Sequence, residues 1–296
     1  MATPLTADRL LKALRGEGLK VVEHRSWRTH NRNHKGLWGP VHGVMIHHTV
    51  SSGDDSSVAL CYNGHSALPG PLCHGVGRND GTVALVSAGR ANHAGSGDDD
   101  VLRAVINETA LPAPNEANTD GNRHFYGLEI INLGDNKDTY TKAQYRAAVL
   151  WAAALCRAHG WSERSVIGHK EWQPGKIDPR GPIEGGGSFS MTQFRADVRD
   201  QLVRKPGTST PPVTPPKEAE DTMTPAQEAL LKQVAADLGS VKKDVAELKK
   251  NATLAPWTYK NAALVAEAKK TGSKVPDMHG RIEHIEQMLT TLTKES

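Results

Sequence analysis

The sequence predicts an α/β domain, in which helices flank a central mixed β-sheet, followed by a smaller helical module. Three observations support this architecture. Upstream of residue 205, apolar runs of strand length alternate with helical patterns. The segment 205–222 is rich in proline, and beyond it apolar residues recur at intervals of three and four. We therefore expect a domain at 1–204, a linker at 205–222 and a helical module at 223–296.

The first elements of the domain follow from local signals. Thr6 can cap a helix that runs to about Gly16. The apolar run at 41–49 predicts a buried strand that ends in polar residues, and 56–65 predicts a short helix. The chain thus passes from helix to strand to helix, as expected when helices pack on a sheet.

A hairpin and a further strand come next. Residues 73–86 are typical of a hairpin, because 79–81 reads Asn-Asp-Gly, a turn sequence between two apolar runs. Residues 125–132 predict another strand, since they are mostly apolar and include an aromatic pair. Both segments would add strands to the central sheet.

The domain should end with two helices around a short strand. Thr141 caps a long apolar helix that ends near Gly160. Residues 165–172 predict a short strand that runs into a loop. Ser190 caps a last helix, with Gln193 at the third position of a capping box.

The segments after the domain suggest a spacer and paired helices. The linker is extended and semi-rigid where proline is dense. The apolar residues of the helical module occupy a and d positions of a heptad pattern: Leu231, Val234, Leu238, Val241, Val245 and Leu248, then Val275, Met278, Ile282, Ile285, Leu289 and Leu292. Two interpretations stay open: an antiparallel helical hairpin, or a coiled coil that forms a homo-oligomer or targets the cell wall.

Composition excludes several functional classes. The formal net charge of +3 is small and no compact run of Lys and Arg occurs, so we expect no nucleic-acid partner. No stretch approaches eighteen apolar residues, which predicts no membrane span. The three cysteines, Cys61, Cys73 and Cys156, form no disulfide framework. The N-terminal segment lacks the features of a signal peptide, so synthesis in a cytoplasm is expected.

Candidate metal ligands cluster in two segments. GHKEWQPGKIDPR at 168–180 offers His169, Lys176 and Asp178, and VMIHHT at 44–49 places His47 and His48 at the end of a strand. Two histidines and a carboxylate, with one position left for water, make the ligand set of a catalytic zinc site. Strand alternation sends the two neighbouring histidines to opposite faces, so only one can be a ligand, and the residues alone leave the choice open.

These segments resemble a known family. IHHT, the CHGVGRNDG hairpin, YGLEI and GHKEWQPGKIDPR follow one another in the order seen in zinc-dependent N-acetylmuramoyl-L-alanine amidases of type 2, which are related to peptidoglycan recognition proteins. The resemblance covers about residues 25–200. GPLCHGV, AGRANHAG and NTDGNRHFYG are similar to phage endolysins. The resemblance implies an amidase-like fold, a peptidoglycan substrate and a Zn²⁺ cofactor.

The resemblance also implies roles for individual residues. The metal ligands would be His47, His169 and Asp178. Glu129 of YGLEI would take a proton from the zinc-activated water and deliver it to the leaving nitrogen. Lys176 would stabilise the charge on the substrate oxygen.

One hairpin position departs from the family pattern. Many members carry a tyrosine near the metal where this chain has Cys73. Without that tyrosine, we expect catalysis to depend more on Glu129. Cys73 could affect the zinc site or be a small buried residue. His74 and His93 could line a substrate groove or be structural.

The expected activity is hydrolysis of the amide between the lactyl group of N-acetylmuramic acid and L-alanine. A phage endolysin made in the host cytoplasm, which acts at the cell wall and causes lysis, fits this activity. Alternatives are a peptidoglycan-binding module without catalysis, a stem-peptide metallopeptidase, or a virion structural protein in which the heptads dominate.

Overall fold

The structure, a computed structural model, describes residues 2–207. The predicted helical module and most of the predicted linker lie outside the described residues, so the heptad interpretation stays a prediction. Within the described part, no helix combines the length and apolar character needed to cross a bilayer.

A six-stranded mixed sheet forms the centre, and two small two-stranded ribbons accompany it. The described part of the chain has ten strands: β1 (Val21–Glu23), β2 (Gly43–His48), β3 (Gly64–His65), β4 (Leu68–Pro69), β5 (Gly75–Gly77), β6 (Val83–Leu85), β7 (Ser96–Gly97), β8 (Thr119–Asp120), β9 (Phe125–Ile130) and β10 (Val166–Gly168). The order in the large sheet is β1-β6-β5-β9-β2-β10. The four strands β5, β9, β2 and β10 run parallel, so their carboxyl ends meet at one edge.

Within residues 2–207, six α-helices flank the sheet. They are α1 (Ala7–Gly16), α2 (Asp54–Asn63), α3 (Asp99–Ile106), α4 (Gly121–His124), α5 (Lys142–His159) and α6 (Met191–Leu202). The larger core lies under α1, α5 and α6, and two smaller apolar clusters lie under α2 and α3 on the other face. This is the layered arrangement that the sequence predicts.

Alternation along β2 places its side chains in different layers. Val44 and Ile46 belong to the large core, whereas Met45 packs with the α3 cluster on the other face. Because side chains of a strand alternate, His47 shares the face of Met45, and His48 shares the face of Ile46. All six residues of β2 are buried, as predicted for this strand.

Most predicted elements are confirmed, with small shifts of their ends. Thr6 caps α1, and the predicted strands at 41–49 and 125–132 correspond to β2 and β9. The predicted hairpin is formed by β5 and β6, and the predicted short strand at 165–172 is β10. The predicted helix at 56–65 lies two residues earlier, as α2.

The caps of the last two helices differ in one respect. Thr141 and Gln144 form a complete capping box at α5, and Gly160 ends that helix in the left-handed conformation. Ser190 caps α6, but the predicted capping box is wrong in its second half. The side-chain amide of Gln193 donates to Asp197 instead, one helical turn onward.

Candidate metal and catalytic site

Three ligand atoms converge at the carboxyl edge of the sheet. Nδ1 of His47 lies 3.1 Å from Nδ1 of His169 and 3.0 Å from Oδ2 of Asp178, and the last two atoms are 3.1 Å apart. All three residues are buried. Among the residues that the structure describes, this is the one group of three or more such side chains that could hold a metal ion.

The strands explain why these residues meet. His47 lies near the end of β2, and His169 directly follows β10, which pairs with β2 in parallel. Asp178 is in the loop after β10, where its carbonyl accepts a hydrogen bond from the Lys170 amide. Two adjacent parallel strands thus bring together ligands that are 122 residues apart in the chain.

The donor set and its dimensions suit zinc. Ligands at about 2.0–2.1 Å from a tetrahedral Zn²⁺ lie about 3.3 Å from one another, close to the observed triangle. Burial lowers the pKa of His47 to about 4, which keeps the imidazole neutral as a ligand must be. Burial raises the pKa of Asp178, but its contacts with the imidazoles of His169 and His47 outweigh burial and hold that pKa well below its usual range.

The structure resolves the choice between the two adjacent histidines. His48 points to the opposite face of the sheet, where its Nδ1 is 3.4 Å from the Tyr140 hydroxyl and accepts from the amide of Arg180 at 3.4 Å. His47 is therefore the residue that faces His169 and Asp178. The prediction that only one of the pair could be a ligand agrees with this geometry.

Glu129 lies beside His47. The two residues are partners in the parallel register of β9 and β2, so their side chains share one face of the sheet. Oε2 of Glu129 is buried and has no hydrogen-bond partner among the described residues. Burial, with smaller contributions from Cys61 and Asp178, raises the pKa of Glu129 well above its usual range.

Lys176 lies on the loop between His169 and Asp178. Its backbone amide donates to the carbonyl of Gln173, and its side chain is exposed. Its positive charge acts on both neighbours at the site, lowering the pKa of His47 and opposing the rise in the pKa of Glu129. The charge of the ammonium group thus acts on the ligand triangle, which is formed by His47, His169 and Asp178.

The predicted substrate-binding residues Cys73, His74 and His93 are all buried, with 8% of His93 exposed. Burial raises the pKa of Cys73 well above its usual value, with Cys61 adding to the effect, so this residue is a neutral thiol. Nδ1 of His74 accepts a hydrogen bond from the amide of Gly127. Their role in substrate binding stays a prediction.

His93 contacts the site directly. Its Nδ1 lies 3.0 Å from Nε2 of His47, and its Nε2 lies 3.0 Å from the carbonyl oxygen of Phe125. Burial, followed by His47, lowers the pKa of His93 well below its usual value. The ring is therefore a neutral imidazole next to a candidate metal ligand.

Two residues that support His93 were not predicted. Oδ1 of Asn122 accepts hydrogen bonds from the amides of His93 and Ala94. Gly127 leaves the space for the ring, since a Cβ there would lie 2.6 Å from Nδ1 of His93. Gly127 belongs to the YGLEI segment that carries the family resemblance. Only the folded structure shows that the absence of a side chain at this position makes room for the His93 ring.

Comparisons with solved structures give low identities. A selenomethionine derivative of AmpD matches at 19% identity with a TM-score of 0.39, covering 60% of this chain and 93% of that one. The amidase LysC from Clostridium intestinale URNW matches at 18% and 0.39, covering 60% and 97%. A mutant endolysin from Bacillus subtilis matches at 15% and 0.40, covering 61% and 99%.

The comparison with protein families is more specific. No curated protein matches the chain. The family model described as N-acetylmuramoyl-L-alanine amidase matches residues 37–181, a segment that includes β2, β9, β10 and the three candidate ligands. The match assigns this segment, just under half of the chain, to the N-acetylmuramoyl-L-alanine amidase family.

Proposed function

We propose that this protein is a zinc-dependent peptidoglycan hydrolase. It cleaves the amide between the lactyl group of N-acetylmuramic acid and L-alanine. The observation that carries the proposal is the convergence of His47, His169 and Asp178 beside Glu129 on the adjacent strand, whose Oε2 is buried without a hydrogen-bond partner among the described residues. A phage endolysin that lyses its host is the biological setting we infer.

A Zn²⁺ ion held by the three ligands would lower the pKa of a water molecule toward neutrality and polarise the scissile carbonyl. Glu129 is the general base in this proposal. Its raised pKa suits a group that must take a proton from the attacking water and then release it. The water oxygen bonds to the carbonyl carbon, the C–N bond breaks, and the proton passes from Glu129 to the nitrogen of L-alanine.

Lys176 stabilises the negative charge that develops on the carbonyl oxygen. The residue is suited to this role because its side chain is exposed while its charge reaches Glu129 and His47. A fixed positive charge aimed at a developing oxyanion is among the largest contributions to catalysis of acyl transfer.

The test combines metal content with the chemistry of the products. Purified protein should contain about one zinc ion per chain, and digestion of purified walls should release free amino groups without new reducing ends. Mass spectrometry of the fragments should place the new amine on L-alanine. His169→Ala should lose both zinc and activity.

Other results would point to the alternatives. Unaltered walls with a zinc-loaded protein would indicate a binding module and overturn the enzyme assignment. A new amine within the stem peptide would indicate a metallopeptidase. Full activity without zinc would contradict the metal-dependent mechanism.

A further inference from the structure

We propose that His93 is a positioning residue that orients His47 toward the metal and fixes which nitrogen of His47 carries the proton. The inference rests on the proposed zinc site. It assigns His93 a role other than substrate binding, and it explains why the chain has glycine at position 127.

The ligand triangle sets the first condition. Nδ1 of His47 faces Nδ1 of His169 and Oδ2 of Asp178, so with an ion bound it must offer a lone pair and carry no proton. A neutral imidazole then carries its proton on Nε2. That N–H is buried and needs an acceptor, because an unpaired buried donor destabilises the folded state.

His93 supplies the acceptor. Nδ1 of His93 is 3.0 Å from Nε2 of His47, and it can accept only if it carries no proton. On the other side of the ring, Nε2 of His93 faces the carbonyl oxygen of Phe125 at 3.0 Å. A carbonyl only accepts, so this contact places the proton of His93 on Nε2.

The contacts therefore form a directed relay. His93 donates to the carbonyl of Phe125, His47 donates to His93, and the lone pair on Nδ1 of His47 faces the metal position. If His93 donated to His47 instead, both of its ring nitrogens would carry a proton and the ring would be positively charged. Among the described residues, the His93 ring forms no hydrogen bond or ion pair with a carboxylate that would balance such a buried charge, so the charge would be costly.

The position of His93 is fixed on two sides. Asn122 holds its backbone through a hydrogen bond from the His93 amide at 2.8 Å. Gly127 on β9 allows the ring to lie against the sheet, since any Cβ there would overlap it. The second ligand lacks such support, because Nε2 of His169 is buried without a partner among the described residues.

Two substitutions separate the relay from simple packing. His93→Asn keeps an acceptor atom at the position of Nδ1 but shortens the side chain, whereas His93→Phe keeps a ring of similar size and removes the acceptor. Partners that orient metal ligands typically contribute ten- to hundredfold in metal affinity. We expect His93→Phe to weaken zinc binding by that factor and His93→Asn to recover most of the loss.

Zinc affinity would be measured on the full chain by competition with a chromophoric chelator. His124→Phe is the matched control, since Nδ1 of His124 also contacts a main-chain carbonyl, that of Pro40, outside the ligand triangle. Its affinity should equal that of the wild type. Equal affinity in His93→Phe, or an equal loss in His93→Asn and His93→Phe, would overturn the relay.

A spectroscopic measurement tests the proton positions directly. In long-range ¹⁵N–¹H spectra of the zinc-loaded full chain, both His47 and His93 should be protonated at Nε2, with the His47 signal identified by its absence in His47→Gln. A proton on Nδ1 of His93 would overturn the inference while leaving the zinc site intact. Failure of the wild type to bind zinc would instead refute the proposed function.

Discussion

His47 and Glu129 lie opposite each other in the parallel register of β2 and β9, with their side chains on the same face of the sheet. This pairing puts a candidate metal ligand and a candidate general base side by side at the edge where the parallel strands end. His169 directly follows β10 and lies at the same edge of the sheet. The position of the site therefore depends on backbone pairing as much as on the loops.

Replacing Glu129 with glutamine should remove activity while zinc stays bound. The amide cannot take a proton from water, and loss of a general base typically costs 10²–10⁴-fold in rate. The measurement is release of amino groups from purified walls, together with zinc content. Glu116→Gln, at an exposed position, serves as the control, and substantial activity in Glu129→Gln would contradict the assignment.

Replacing Lys176 with alanine should lower kcat while leaving zinc affinity and folding close to wild type. Removal of one group that stabilises an oxyanion costs about 10²–10³-fold in kcat. Steady-state hydrolysis of a soluble muropeptide would measure it. Lys20→Ala changes another exposed lysine, just before β1, and should keep full activity. A change in KM alone would argue that Lys176 only binds substrate.

Gly127→Ala should destabilise the domain and weaken zinc binding together. The added methyl would overlap the ring of His93, and overpacking of a buried site costs about 1–3 kcal/mol. Thermal unfolding of metal-free protein and chelator competition would measure the two effects. Gly16→Ala is the control, because a Cβ at Gly16 meets nothing within 4 Å. An unchanged zinc affinity in Gly127→Ala would show that the ring can shift without consequence.

Thr141→Ala should lower the free energy of unfolding by about 1 kcal/mol. The Thr141 hydroxyl accepts from the amide of Gln144, and the side chain of Gln144 accepts from the amide of Thr141. Chemical denaturation would measure the change. Thr192→Ala, exposed in the first turn of α6, should have a much smaller effect, and equal effects would contradict a capping role for Thr141.

The stability of the metal-free protein should fall as pH is lowered from 6.5 to 4. Burial, with a smaller effect of His124, lowers the pKa of His42 from 6.5 to about 4. In that window the unfolded chain binds more protons than the native one, so the free energy of unfolding rises with pH. Melting temperatures of wild type and His42→Gln would be compared across the window.

The His42→Gln variant should show a shallower dependence on pH than the wild type. His34→Gln, at an exposed position, is the matched control and should keep the wild-type slope. If His42→Gln and wild type show the same slope, the proton uptake belongs to other groups.

Sequence reasoning succeeded where the signal is local. The strand β2 follows from an apolar run, and the capping box of α5 from Thr141 and Gln144 three residues apart. The helix α3 was missed although Asp98 caps it, because the polar run before it suggests a loop. Gln193 fits a capping box in sequence, yet its side-chain amide donates to Asp197.

The site was predictable only in part, because its geometry is not local. Alternation requires His47 and His48 to diverge, but which of them meets Asp178 depends on which face of the sheet the later loop covers. The contact of His93 with His47 joins residues 46 positions apart, and no spacing rule connects them. The segments 44–49 and 168–180 therefore predict a metal site without indicating which residues orient its ligands.

The distance along the chain between His47 and His169 has a consequence for how the ion arrives. A disordered polypeptide has no means of presenting both imidazoles at once, so the pocket exists only after β2 and β10 have paired. The native state would therefore bind the ion more tightly than the unfolded chain does. By mass action, zinc held at this site would stabilise the folded protein, and its melting temperature would rise with the concentration of free zinc.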